Sequence, residues 1–204
     1  MATIETAEAL RAHFGPASVL ALKKQMRGLD KHARHFISLS PFLCIATSVK
    51  NGLADNTPRG DAPGFVAVLD DETLLIPERP GNNRLDTLSN LIENPAIGLL
   101  FMLPLIRETY RVNGTATIIV DDPRLEDLAV NGRVPAAGIL VKISECYFHC
   151  GKALLRSHLW NPDTWIDKSD FPTLGEIMAD QLSIDQTAAE IDVNLENAYK
   201  TKLY

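Results

Sequence analysis

The sequence is poor in cysteine, in basic residues and in long apolar runs, and each shortage excludes something. Only three cysteines occur among 204 residues, Cys44, Cys146 and Cys150. That odd, low count argues against a disulfide framework and for a reducing compartment, so the cytoplasm is the expected location. Lys and Arg number 20 against 26 Asp and Glu, a formal net charge of −6. No nucleic-acid partner is expected, because neutralising a phosphate backbone needs a basic face. A pocket for one small phosphate remains compatible with an acidic whole. The longest strongly apolar stretch, Ile97 to Ile106, is too short to span a bilayer and contains Pro104, so no membrane partner is expected. Met1 to Leu10 carries two glutamates and no basic residue, and so lacks the charged start of a secretory signal. Neither a GxGxxG fingerprint nor a GxSxG elbow is present, which leaves a Rossmann domain and a serine-hydrolase triad without support.

What remains is an ordinary globular composition, 46% hydrophobic and 23% charged. With no repeat, low-complexity tract or linker, the chain reads as a single domain over 1–204: helices over 1–41, a barrel over 42–150 and a helical tail over 151–204. Ala7, Leu10 and Phe14 share a helical face, Ala17 to Met26 predicts a second helix, and Asp30 caps a third. From Phe42 the texture changes to short strands and tight turns. The expected strands are Phe42 to Val49, Leu53 to Pro58, Gly64 to Leu69, Thr73 to Pro77, Ala96 to Leu103, Thr109 to Val120 and Ile139 to Cys150, with a hairpin-type turn at Lys50, Asn51 and Gly52. One helix, Asn82 to Glu93, interrupts them with Leu85, Leu88 and Ile92 on one stripe, and a last helix is expected from Ser183 to Tyr199. A meander of this kind favours a barrel over a layered parallel sheet.

The region from Pro58 to Leu85 carries the most chemistry. Arg59, Gly60 and Asp61 follow a strand, in an expected turn where glycine lets backbone approach a ligand. Arg79 to Arg84 then leads into the helix, with Asn82, Asn83 and Arg84 at its start. A helix N-terminus offers unpaired N–H groups and a positive dipole end to a phosphate. An arginine in that first turn is unfavourable unless an anion lies beside it, and its fork matches phosphate geometry. On spacing alone, Arg59 and Arg84 can equally pair with Asp61 and Asp86 on a solvated surface. Both readings stay open.

These stretches, Pro58 to Phe65, Leu74 to Pro77, Gly81 to Leu85, Glu93 to Pro95, Gly98 to Phe101 and Glu108 to Ala116, together resemble the pyridoxamine 5′-phosphate oxidase-like FMN-binding family. The resemblance covers roughly Phe36 to Trp160. It implies a mainly β fold with added helices, a six-stranded FMN-binding split β-barrel, and a homodimer with FMN in clefts at the interface. Carried over by position, Arg59, Asn83 and Arg84 would hold the phosphate, with Asn82 beside them among the cofactor-binding residues. Gly60, Asp61, Ile76 and Pro77 would line the ribityl chain and ring. Thr109, Arg111 and Lys152 would approach the cofactor from later in the chain, Arg111 or Lys152 near the pyrimidine end of the ring. The sequence departs from the vitamin-processing members: Gly60 and Asp61 follow the arginine where those have a basic run ending in lysine, and their C-terminal arginine-histidine signature has no clear counterpart. The tail resembles a different branch of the family.

In that tail, Cys146, His149 and Cys150 invite a metal reading. On a strand, however, the cysteines share one face and His149 the other, a poor arrangement for one ion. A disulfide is equally unfavourable, since strand residues four apart lie about 13 Å from each other. The cysteines are expected to pack as small apolar groups. Trp160 or Tyr147 is a candidate wall for a substrate stacked on the ring. The resulting expectation is an FMN-dependent oxidoreductase acting on a small molecule, with NAD(P)H or oxygen as second partner and no catalytic residue or metal assigned. The alternative is a flavin or tetrapyrrole carrier without turnover, since relatives of this barrel include haem and deazaflavin binders.

Overall fold

Alternation with a period of two builds the sheet. In β1 (Phe42–Ser48), Leu43, Ile45 and Thr47 are buried while the residues between them are not. In β5 (Ala96–Met102) the same rule buries Ile97, Leu99 and Phe101. β2 (Ala54–Gly60), β3 (Ala67–Val68), β4 (Thr73–Pro77), β6 (Thr109–Ile119) and β7 (Gly138–His149) complete an antiparallel sheet in the order β2-β1-β5-β6-β7-β4-β3. The computed structural model describes residues 2–50 and 52–204, and within them the chain is a split barrel of seven strands rather than six. The turn expected at Lys50, Asn51 and Gly52 includes Asn51, which lies outside the described residues, as does Met1.

Helices close the barrel unevenly. α1 (Ala7–Phe14) and α2 (Val19–Lys23) bury no residue. α2 is shorter than expected because Met26 forms a bridge with Cys146 instead of a further helical turn. α3 (Lys31–Leu39) is capped by Asp30, which accepts from the Ala33 N–H at 2.8 Å. Its Phe36 meets Phe148 edge-on at 5.4 Å over the core. α4 (Asp86–Glu93) lies against β1, β2 and β6. The tail holds α5 (Lys152–Ser157), α6 (Leu174–Gln181) and α7 (Ala188–Thr201). α7 starts later than Ser183, because Thr187 and Glu190 form a capping box that sets its first turn. Among the described residues no helix is long and apolar enough to cross a membrane.

Three local expectations are corrected. β2 runs on through Arg59 and Gly60, which pair with Leu43 and Phe42, so these residues lie in a ladder and not in a turn. The third strand shrinks to Ala67–Val68. The helix expected from Asn82 begins at Asp86, after left-handed backbone at Asn83 (φ 59°) and Leu85 (φ 60°). The buried face runs through Thr87, Asn90 and Leu91, and Leu85 and Ile92 are exposed.

Candidate functional site

β2 ends beside the approach to α4, and between them opens a cleft of about 920 Å3. Asp55, Thr57 and Arg59 alternate along β2, all half-buried and all lining it. The segment from Pro77 to Leu88 forms a second wall, and residues Arg133 to Ala137 with Tyr204 form a third. Of the residues singled out by sequence, Arg59, Gly60, Pro77, Asn82, Asn83 and Arg84 meet here. Ile76 does not, because its side chain is buried in the core.

The start of α4 faces the cleft through Asp86, Thr87 and Leu88. Its N-cap is Leu85, whose side chain offers no acceptor, so no side chain caps the first-turn N–H groups. A leucine held left-handed costs about 1 kcal/mol or more. The helix is held in place from below: Asn90 donates to the Thr47 hydroxyl at 3.0 Å and Thr87 to Asp55 at 3.2 Å. Arg84 therefore precedes the helix rather than occupying its first turn, and the Arg84 N–H donates to Asn82 Oδ1 at 3.1 Å.

Every arginine of the first two walls carries a carboxylate. Arg84 pairs with Asp86 at 2.8 Å, both largely exposed, as the solvated reading anticipated. Arg59, however, pairs with Glu78 and not with Asp61, through Nη1 to Oε1 at 2.5 Å. Arg59 Nε and Glu78 Oε2 are buried without a hydrogen-bond partner. Asp61 sits behind the wall with its side chain 1% exposed. It accepts from Arg79 Nε at 2.7 Å and from the Tyr204 hydroxyl at 2.7 Å. Arg79 also donates to the Leu128 carbonyl at 2.9 Å and lies over the Tyr204 ring at 5.7 Å. Arg133 donates to the Tyr204 backbone oxygen.

Thr109, Arg111 and Lys152 do not line this cleft. Thr109 is buried opposite His149, and Lys152 opens α5. Arg111 belongs to a separate polar cluster, donating to the Tyr147 hydroxyl at 2.9 Å and to Asn113 at 3.2 Å. Lys24 lies 5.0 Å from the centroid of the Tyr147 ring. Burial, with Lys24 and Arg111 nearby, pushes the His149 pKa below its ordinary value. Cys146 is buried and bonded toward the Met26 and Gly28 carbonyls. Cys150, expected to pack, is exposed because β7 has already ended at His149. Trp160 donates to the Ile106 carbonyl at 3.0 Å, and neither Trp160 nor Tyr147 lines the cleft.

Sequence reasoning missed Glu78, Arg79, Asp55 and Thr57 as site residues, and also Arg133 and Tyr204. The alternation of Asp55, Thr57 and Arg59 along β2 carried a usable signal for the first wall. Arg133 and Tyr204 carried none, being brought in only by the folding of distant segments.

A sequence profile described as Pyridoxamine 5′-phosphate oxidase matches residues 29–150, from the start of α3 through β7. The chain belongs to the pyridoxamine 5′-phosphate oxidase family. The matched span holds Arg59, Glu78, Arg84 and Arg133, while Tyr204 lies outside it. Among solved structures, similar folds include HupZ of Group A Streptococcus, at 20% identity and TM-score 0.48, covering 59% of this chain and 93% of that one. A candidate pyridoxamine 5′-phosphate oxidase of Lactobacillus delbrueckii is 19% identical with TM-score 0.49, covering 60% and 95%. An FMN-binding protein of Syntrophomonas wolfei is 11% identical with TM-score 0.44, covering 69% and 95%. No curated protein matches the sequence.

Proposed function

We propose that this family member binds FMN in the cleft and is an FMN-dependent oxidoreductase acting on a small molecule, with NAD(P)H or oxygen as second partner. The observation that supports it is the convergence of Arg59, Arg84 and the uncapped start of α4 on one cleft of about 920 Å3. That volume suits a cofactor-sized ligand. The residues fit a phosphoryl group: Arg59 has a spare buried donor at Nε, and the exposed Arg84–Asp86 pair yields readily. Pro77 and Phe65 offer apolar surface for a ring. Bound FMN supplies hydride and electron transfer. The chain's own residues bind and orient it. Among the described residues no histidine, cysteine or lysine lines the cleft, which suits chemistry carried mostly by a cofactor. As a homodimer, one copy would bring Thr109, Arg111 and Lys152 toward the cleft of the other.

The visible spectrum of the purified protein, and of the protein reconstituted with FMN, tests the reading. Bound flavin is expected, and the double substitution Arg59→Ala, Arg84→Ala is expected to lose it with an unchanged far-UV spectrum. Full retention of flavin in that variant would overturn the phosphate assignment. The pairing of the cleft's carboxylates Glu78 and Asp86 with arginines favours a second reading, a carrier without turnover. Anaerobic mixing with NADH or NADPH decides: bleaching of the flavin supports the enzyme, and an unchanged spectrum supports the carrier.

A further inference from the structure

The three arginine–carboxylate pairs at the cleft are not equivalent. Arg84 and Asp86 are 71% and 49% exposed, so water and salt weaken their attraction. Arg79 is committed elsewhere, bonded to Asp61 and to the Leu128 carbonyl and lying over the Tyr204 ring. Arg59 and Glu78 are each only 18% exposed yet share a single hydrogen bond, and each buries one polar atom without a partner. A guanidinium and a carboxylate ordinarily meet through two parallel bonds. Here half of that match is made. The pair is desolvated enough to hold strongly and too poorly matched to be the best partnership Arg59 can form.

We propose that Glu78 sets the affinity and the selectivity of the cleft by competing with a ligand's phosphoryl group for Arg59, an inference that rests on the phosphoryl-binding reading of this site. A phosphate monoester presents several oxygens and can accept from Nε and Nη2 together, an edge of Arg59 that Glu78, bonded to Nη1, leaves unused. To dock there it must compete with the charge of Glu78 for the same guanidinium and tolerate that carboxylate as a neighbour. The balance of charge sharpens the point. Arg59, Arg79, Arg84 and Arg133 line the cleft with Asp55, Glu78 and Asp86, and Asp61 neutralises Arg79 from behind. A cleft so balanced binds a dianion reversibly. The flavin is exchangeable here, and Glu78 is the residue that keeps it so.

The test compares the full-length protein with Glu78→Gln, which keeps the shape and removes the charge. Both are titrated with FMN and with riboflavin, followed by quenching of flavin fluorescence. Glu78→Gln is expected to bind FMN about tenfold more tightly, with riboflavin affinity unchanged because riboflavin has no phosphoryl group. Equal or weaker FMN binding by the variant overturns the proposal, and so does an equal gain for riboflavin. If neither protein binds either flavin, the flavin reading fails, and inorganic pyrophosphate then decides this one. A larger rise in thermal midpoint for Glu78→Gln than for the parent supports competition at Arg59, and an equal or smaller rise sinks it. Should the glutamine variant not fold, Glu78→Asp shortens the arm, and tighter FMN binding is again the outcome required.

Discussion

Asp61 accepts from the Tyr204 hydroxyl and from Arg79, each at 2.7 Å, with its side chain 1% exposed. Burial by itself raises its pKa, but the bonds from Tyr204, the Ala62 amide and Arg79 outweigh that, so it titrates below its ordinary 3.8. A carboxyl with a depressed native pKa stabilises the fold above the unfolded value, and the contribution is lost as pH falls through the native value. Asp61→Asn is therefore expected to cost about 2 kcal/mol near pH 7 in urea denaturation, with the gap from the parent closing as pH falls below 3.8 and through the lowered native value. A gap independent of pH would show that packing, not charge, is what Asp61 supplies. Glu78 and Asp61 show why a count of arginines misjudges this site. The same residue type is a free cation in sequence and a committed partner in the fold, and the partner decides which arginine a ligand can recruit.

Among the elements, α4 does the most to place the site. Its hydrophobic positions suggested a stripe through Leu85, Leu88 and Ile92, yet two polar residues, Thr87 and Asn90, are buried with Leu91 because Asp55 and Thr47 receive them. A pattern that counts apolar residues does not see a buried polar residue whose acceptor lies on another strand. The β6–β7 pair carries a second constraint. Its register shifts between Asn113 and Gly114, leaving Ser144 without an opposite number. There a Cβ on Gly114 would lie 2.0 Å from the Lys142 carbonyl oxygen. Backbone cannot yield cheaply at that distance. Gly114→Ala is expected to lower stability by roughly 2–3 kcal/mol in chemical denaturation, and a loss near zero would mean that the irregularity relaxes freely.

For the whole molecule, the two groups of residues that the family resemblance assigns to one cofactor occupy different regions of the chain's surface. Arg59 and Arg84 line the cleft, whereas Arg111 is tied up with Tyr147, Asn113 and Glu145. The proposed homodimer would reconcile them. Leu10, Phe14, Leu20 and Leu22 on α1 and α2 are exposed, and such apolar surface suits burial against another chain. Light scattering is expected to give twice the chain mass, and dilution to monomer is expected to weaken FMN binding at least tenfold, roughly 1.4 kcal/mol. A monomer that binds FMN undiminished would show that one chain builds the whole site.

Short-range information was enough for much of this protein. Period-two alternation located six of the seven strands closely and overextended the third. Asp30 marked the start of α3, since such signals act within a few residues of one another, whereas Arg59 and Arg84 were assigned to one site by the family resemblance. Tertiary structure alone decided that Arg59 goes to Glu78 and Asp61 to Arg79, that β2 continues through Gly60, and that Arg133 and Tyr204 close the third wall. Those outcomes depend on which segments the barrel brings side by side. Ion pairs across such contacts are chosen by burial and geometry, and neither quantity exists until the chain has folded.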